Sequence, residues 1–464
     1  MKNLVFVGSG PSVIFPLYEM LSSKKLKDYK ITVIEQGLDI ESRVCPSKNN
    51  KTACTKSCNH CAITTGIGGV GSFSDFKLPI TTEFGGYLHE LIGVEESLNY
   101  QYKVDSTLLK IAKSLHEDLQ FQLYGSNEKI KKLCYENGLK LLDANFRHFG
   151  SNYGLEIIKF VYKELQNYGV EFRLPLEVKD IEQSKVSRRY KVVTDSEDFI
   201  ADILVIATGR SNSGWVKSLC DKLDIKTSNS KTDIGVRVEL PHFVFRNITD
   251  TLYEGKIVYK TKQYEDEVRT FCMNPNGFIV NENTKGLITV NGYSNNSEYN
   301  NCEKSDMTNF ALLVSQKFTK PFNDSSKYCS SICTLSNLLA NGVMLQRFGD
   351  LISGRRSTDV RIKNNSFMPT LNAEPGDLSL VLPKRILDDI VETIYALDKI
   401  CPGTANPDTL LYGVEVKFYN TVVKMNSRLE IDNYENLYFI GDGSGQTHSL
   451  TQAAAMGLYL LEQL

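Results

Sequence analysis

The first 35 residues constrain this chain more than any other stretch. Asn3 to Val7 is a short apolar run, followed by Gly8-Ser9-Gly10-Pro11-Ser12-Val13 and an amphipathic stretch through Met20 and Leu21. A second apolar run, Ile31 to Ile34, ends on Glu35. Strand, glycine turn, helix, strand and acidic residue, in that order, are the layout of a dinucleotide-binding βαβ unit. Gly8 permits the tight turn, and Gly10, with no side chain, lets a pyrophosphate sit against the backbone. The helix N-terminus at Pro11 and Ser12 offers free N–H groups and a partial positive charge. Glu35 stands where a carboxylate accepts from a ribose diol. Val13 replaces the third glycine, so helix and strand are expected to pack slightly further apart.

With 464 residues the chain is long enough for two domains. Its formal charge of −2 gives no electrostatic case for nucleic acid or an anionic membrane. No apolar run reaches the roughly 18 residues that span a bilayer. The N-terminal run is short, carries Gly-Ser-Gly-Pro, and reads as strand and helix, not as a signal peptide. A cytoplasmic location is therefore expected, and the eleven cysteines are expected to be ligands or buried thiols, not a disulfide framework.

Four of those cysteines, Cys45, Cys54, Cys58 and Cys61, crowd into a loop-like segment after Glu35. Four thiols on a short loop can converge on a tetrahedral zinc or on the corners of an iron–sulfur cluster. The spacing fits no single standard motif, and unliganded thiols or a redox pair are the plainer alternatives. Next comes Thr64 to Leu78, with Gly66, Gly68, Gly69 and Gly71 followed by Ser72, Ser74, Asp75 and Lys77. Closely spaced glycines let backbone N–H groups approach a flat ligand.

Residues 85 to 170 read as mainly helical, with apolar periodicity over Leu108 to Leu119, Ile130 to Leu142 and Leu155 to Leu165. Arg147 and His148 are expected in a turn suited to an anion, or simply exposed. Ala201 to Ile206 is a buried strand ending in Ala207-Thr208-Gly209, whose small residues let the chain pass close beneath a nucleotide. From about residue 231 short β-type runs with turn signals predict a separate antiparallel sheet: Asp233 to Glu239, Arg269 to Met273, Phe278 to Val280 and Leu287 to Val290. Asn274 to Gly277 and Asn291-Gly292 are read as turns. Met307 to Phe318, Asn337 to Leu351 and Pro383 to Ala396 are expected as helices. Near the C-terminus, Leu437 to Ile440 is a strand leading into Gly441-Asp442, with a helix from about Thr447 or Ser449 to Leu464. Asp442 can accept from ribityl hydroxyls, and N–H groups near Ser449 and Leu450 can stabilise negative charge on a reduced flavin.

Three widely separated pieces, the first turn with Glu35, the strand with Ala207 to Gly209, and the strand with Gly441-Asp442, resemble the glutathione-reductase-type FAD-binding fold shared by aromatic hydroxylases and geranylgeranyl reductases. In finer detail the chain resembles a family of FAD-dependent dehydrogenases. The matching segments are Gly68 to Lys77, Arg147-His148 to Gly150, Asp233 to Glu239, Cys272 to Gly277 and Gly441 to Gly445. Val13 departs from the usual small residue, and Phe76 from the glycine common between Asp and Lys. The resemblance implies FAD with adenine and ribose near Glu35 and Val178, pyrophosphate at Gly8 to Ser12, and isoalloxazine near Gly68 to Ser74 and Ser449.

The fold expected is α/β: a Rossmann-like FAD-binding domain over residues 1–230 and an α+β substrate domain on an antiparallel sheet over 231–404. The first domain carries a cysteine loop at 45–61 and a helical insertion at 85–150, and residues 405–464 return to it. The function expected is transfer of hydride or electrons between FAD and a small organic substrate. No second glycine-rich βαβ follows, so reducing equivalents come from transiently docked NAD(P)H, the substrate, or an electron-transfer partner. Acid–base candidates are His448, His148, Lys77 and Arg237, with His448 best placed beside the last helix. A flavin monooxygenase is the second enzyme reading, and a non-catalytic FAD or metal redox sensor the third.

Overall fold

The computed structural model describes residues 1–22, 24–45, 58, 60–74, 76–118, 120–184, 186–229, 231–252, 254–284, 286–294, 304–318, 321–322, 324–418 and 421–464. Along the chain run β1 (Lys2–Val7), α1 (Pro11–Glu19), β2 (Tyr29–Ile34), β3 (Lys77–Ile80), α2 (Val94–Leu115), β4 (Asn145–His148), α3 (Ser151–Tyr168), β5 (Glu171–Arg173) and β6 (Ile203–Ile206). Then come β7 (Thr232–Pro241), β8 (Glu267–Asn274), β9 (Leu287–Tyr293), β10 (Met307–Gln316), α4 (Ser325–Ala340), α5 (Lys384–Asp398), β11 (Leu410–Lys417), β12 (Leu437–Phe439) and α6 (Leu450–Gln463), with shorter elements between. These form two compact units, one of residues 1–123, 144–230 and 419–464, the other of 124–143 and 231–418.

The first unit is built on a five-stranded parallel sheet in the order β12-β6-β1-β2-β5. Leu4 and Phe6 of β1 pack into one apolar cluster with Val13, Leu108, Ile158 and Met456. Val5 and Val7 pack into another with Val192, Val216 and Leu219. A strand apolar on both faces is what a covered parallel sheet requires. Val13 is fully buried, and the close helix approach comes from elsewhere: a side chain on Gly457 of α6 would run into the Ser12 carbonyl and Pro16 of α1.

The second unit is built on an eight-stranded mixed sheet with the antiparallel core β11-β7-β10-β8. Ile234, Val236, Val238 and Leu240 of β7 share an apolar cluster with Ile386, Ile390, Ile394 and Leu397 of α5. The alternate residues Asp233, Arg237 and Glu239 occupy the opposite face and are also buried.

Several expectations are corrected. Met307 to Phe318 is strand, not helix: β10 pairs with β7 from Thr232↔Gln316 to Pro241↔Met307. A run apolar on both faces carries no period that separates the two. The helix expected from Asn337 ends at Ala340, because Asn341 and Gly342 take φ of 46° and 150°, and Met344–Arg347 is a strand against β11. The apolar run Ile130 to Leu142 is a helix only over Glu128–Glu136, and then a strand over Leu139–Leu141. Asn291 and Gly292 lie inside β9, and Arg147 and His148 inside β4. Residues 405–418 belong with the second unit, since β11 pairs with β7, and so do residues 124–143 of the helical insertion.

Among the described residues no helix is long and apolar enough to cross a membrane. Cys134, Cys220, Cys329, Cys333 and Cys401 are buried free thiols, with burial pushing Cys134 up to about 11 and the other four up to about 12.

The second unit also contains a carboxyl pair. Asp389 of α5 is buried, accepts from Thr261 Oγ1 at 2.7 Å, and is pushed up to about 6 by burial and the neighbouring Asp266. Asp266 is held down by Arg385, whose Nε and Nη2 lie 2.5 and 2.7 Å from it. A folded state that keeps a proton the unfolded chain releases near pH 4 loses stability as pH rises from about 4 to about 6. Urea midpoints of the wild type are expected to fall across that window more steeply than those of Asp389→Asn. Parallel profiles would remove Asp389 as the source.

Candidate functional site

In the first unit, segments far apart in sequence meet at the carboxyl ends of the parallel strands. Gly8 has φ of 109°, and a side chain there would lie 2.5 Å from the Ala207 carbonyl oxygen. Gly10 is the N-cap of α1, has Pro11 behind it, and faces open space where a Cβ would stand. Gly68 N–H donates to the Ser9 carbonyl at 3.0 Å, and Gly69 approaches Gly10. Gly441 packs against Ser12, and Gly443 against Thr208. Turn, glycine loop, Ala-Thr-Gly and Gly-Asp thus form one backbone-lined surface beside the start of α1.

Glu35 lies at the end of β2 and is buried. Its Oε2 accepts from Ser9 N–H at 3.1 Å and Ser9 Oγ at 2.7 Å, and its Oε1 from Gly37 N–H at 2.8 Å. The carboxylate is thereby fixed against the first turn. Val178 is buried in the apolar cluster with Val5, Val7 and Ile34.

The glycine loop is braced by a residue the sequence did not mark. Arg43 is buried, and Nε donates to the Ala62 carbonyl at 2.9 Å. Nη1 donates to Ile67 O and, at 2.9 Å, Ser72 Oγ, and Nη2 to Ile63 O at 2.8 Å and Gly69 O at 2.9 Å. The guanidinium also lies 4.8 Å from the Phe73 ring centroid. Burial brings Arg43 down to about 10, against the pull of Glu35 and Cys61, so it stays charged at neutral pH. Ser72 and Ser74 also brace the loop, donating to Ile67 O at 2.8 Å and Gly71 O at 2.9 Å.

Asp442 follows β12. Arg210 Nε lies 3.0 Å from its Oδ2, and Thr447 Oγ1 donates to its Oδ1 at 3.2 Å. Burial pushes this carboxyl up, and Arg210 and Thr447 oppose the shift. Thr208 Oγ1 is buried with no partner among the described residues. Ser449 caps α6, its Oγ accepting from Gln452 N–H at 3.2 Å, so Leu450 opens the helix. Segment 81–87 is tied to this start by Gln452 Nε2, which donates to Thr81 O at 3.1 Å and Phe84 O at 2.9 Å.

His448 is half-buried; its N–H donates to Gly85 O at 2.9 Å and its ring meets Tyr87 edge-on with centroids 5.7 Å apart. Lys77 and His148 are register partners across β3 and β4. Arg147 forms a bidentate pair with Asp105 at 2.6 and 2.9 Å, which takes the guanidinium away from the anion contact expected of it. Arg237 lies in the second unit, fully buried beside Glu415. Cys45, Cys58 and Cys61 are free thiols, and Cys54 lies outside the described residues. Among the described residues no group of three or more His, Cys, Asp or Glu is placed to hold a metal.

Residues 232–418 match the model of the family described as "FAD-dependent protein, C-terminal domain-like". The chain is similar to an "Uncharacterized protein" of Clostridium beijerinckii, 24% identical, over 99% of this chain and 80% of that protein. Among solved structures it is similar to glycine oxidase from Geobacillus kaustophilus, at 11% identity over 100% of this chain and 95% of that one, with a TM-score of 0.41. It is also similar to L-proline dehydrogenase from P. horikoshii, at 13% identity over 99% and 92%, with a TM-score of 0.42.

Losing Arg43 leaves buried carbonyls without donors, a cost of about 3 kcal/mol. Arg43→Met is expected to lower stability by about that amount in denaturant unfolding. It is also expected to speed amide exchange over residues 62–72, while exchange in β1 stays slow. Unchanged exchange in the loop would remove Arg43 as its brace.

Proposed function

We propose that this chain is an FAD-dependent oxidoreductase that moves a hydride or an electron pair between FAD and a small organic substrate. The observation that carries the reading is the convergence of Gly8 to Ser12, Glu35, Gly68 to Gly71, Ala207 to Gly209 and Gly441-Asp442 at the carboxyl ends of the parallel strands, where such sheets bind nucleotides. The family match over residues 232–418 supports the same cofactor.

The residues fit that group. Gly10 leaves backbone open beside the α1 N-terminus, a setting suited to a diphosphate. The Glu35 carboxylate is held beside Ser9, suited to a ribose diol near Val178. Asp442 offers a carboxylate to hydroxyls, with the unpartnered Thr208 Oγ1 on the neighbouring strand end. Gly68 to Ser74 and the α6 start at Ser449 and Leu450 would face the flavin ring. When bound, FAD supplies a two-electron acceptor and donor. His448 is the proposed acid–base group, with Lys77 and His148 as the next candidates. NAD(P)H, the substrate itself or an electron carrier would supply reducing equivalents.

Protein purified without oxygen, or incubated with FAD, is expected to show flavin absorption bands; none after incubation would overturn the reading. A broad brown absorption beneath them would add an iron–sulfur cluster on the Cys45 to Cys61 loop, and its absence would leave zinc or free thiols. His448→Ala is expected to slow flavin reduction about 10²-fold with FAD retained. Unchanged reduction kinetics would strike His448 from the mechanism.

A further inference from the structure

Four arginines crowd one buried carboxylate in the second unit, beside the sheet-edge strand Glu374–Pro375. The carboxylate is Asp350, on the short helix Phe348–Ile352, and its side chain has no exposure. Its Oδ1 accepts from Arg355 Nε at 2.9 Å and from Arg361 Nη1 at 3.0 Å, so those two guanidinia stand side by side. Its Oδ2 accepts from Ser357 Oγ at 2.8 Å and lies 3.6 Å from Arg347 Nη1. Arg347 also donates to Asn365 Oδ1 at 2.8 Å and pairs with Asp408. Arg356 is fixed without a carboxylate: its Nε donates to Ser357 O at 3.3 Å and its Nη2 to Pro375 O at 3.2 Å. Four guanidinia therefore share two carboxylates, and no other carboxylate among the described residues pairs with them. Asp359, Glu374 and Asp377, on adjoining segments, form no ion pair with any of the four. Counted over ion pairs, the cluster carries a surplus of two positive charges.

Two further observations set this cluster apart from an ordinary surface network. The turn that carries it is laced to its surroundings. Arg355 N–H donates to Asp350 O at 3.0 Å, the Arg355 carbonyl accepts from Gln346 Nε2 at 2.9 Å, and Ser357 N–H donates to Gly376 O at 2.9 Å. The arginines are thus ordered before any ligand arrives, which removes a cost that binding to free side chains carries. The outer groups also stay open to solvent. Arg355 keeps 52% side-chain exposure and Arg361 38%, and Arg356 is exposed. Arg355 Nη1 and Nη2, Arg361 Nε and Nη2, and Arg356 Nη1 donate to no described residue.

We propose that Arg355, Arg356 and Arg361, held in place around Asp350, form a binding site for a phosphate dianion, free or as the monoester of a small metabolite. Planar forks of N–H donors match phosphate oxygens, and two surplus charges suit a dianion better than a monocarboxylate. Asp350 is a positioning residue: buried beneath the guanidinia, it fixes their planes and leaves their outer N–H groups to the ligand. The site lies within the second unit and does not rest on the FAD reading.

Peptide-mapped modification of the full-length protein by phenylglyoxal reads each arginine separately. At constant ionic strength, and at a pH where phosphate is doubly ionised, saturating inorganic phosphate is expected to slow modification of Arg355 and Arg361 about tenfold. Exposed Arg428 is expected to react at an unchanged rate. Protection by glycerol 2-phosphate at lower concentration than by inorganic phosphate would identify a monoester as the ligand, and the opposite order would identify free phosphate. Arg361→Gln is expected to abolish protection at Arg355 with the fold retained by circular dichroism. Arg356→Gln, which touches no carboxylate, is expected to weaken protection at Arg355 and Arg361 severalfold, and it serves as the test should Arg361→Gln fail to fold. Protection by acetate equal to that by phosphate, equal protection at Arg428, no protection at all, or full protection in the Arg356→Gln protein would overturn the proposal. Phosphate bound in the first unit does not register at these arginines, so failure here is distinguishable from failure of the FAD reading.

Discussion

The guanidinium of Arg43 holds together a segment whose regular structure is a short 3₁₀ turn over Gly69–Phe73. Residues 62–72 are rich in glycine, and glycine loses the most conformational entropy on ordering. The loop can be kept against the first βα turn only if its buried carbonyls are satisfied. A planar cation with five N–H donors meets four carbonyls and one hydroxyl at once. With the loop so fixed, Gly68 can bond to Ser9, Gly69 can approach Gly10, and the surface proposed to hold the nucleotide acquires its second wall.

The two units solve the burial of a central strand differently. In the first, β1 is apolar on both faces and is covered on both. In the second, β7 has one apolar face against α5 and one face carrying Asp233, Arg237 and Glu239, all removed from water. Such a face is costly unless each charge finds a partner. Arg237 meets Glu415 at 3.2 Å, and Glu239 accepts from Tyr412 at 2.6 Å.

Most of the candidate nucleotide site was legible in the chain, because its residues are backbone-defined. Gly8, Gly10, Glu35, Gly441 and Asp442 follow strand ends in a fixed order, and order along a parallel sheet maps onto position in space. Arg43 and Arg210 were not legible. Each is a single arginine whose partners lie 19 or more residues away, and such pairings leave no local period. Arg147 illustrates the converse: an arginine beside a glycine turn looked available to an anion, yet Asp105, on α2, had already taken it. Ser72 and Ser74 looked like ligand donors, and their hydroxyls bond within their own loop.

The amino-acid sequence by itself determined the βαβ opening, the strand with Ala207 to Gly209, the strand and helix around Asp442, and the existence of a second, antiparallel unit. These depend on local signals: glycine turns, short apolar runs and their spacing. Tertiary structure alone decided that Met307 to Gln316 is a strand, that Met344–Arg347 leaves its expected helix, and that residues 124–143 and 405–418 join the second sheet. An apolar run buried on both sides has no face to betray its period, so only the hydrogen bonds offered by β7 and β11 choose its conformation. The same holds for charge: which carboxylate meets which cation is settled by the sheet register that brings Asp233 opposite Ser315 and Lys417, not by any spacing along the chain.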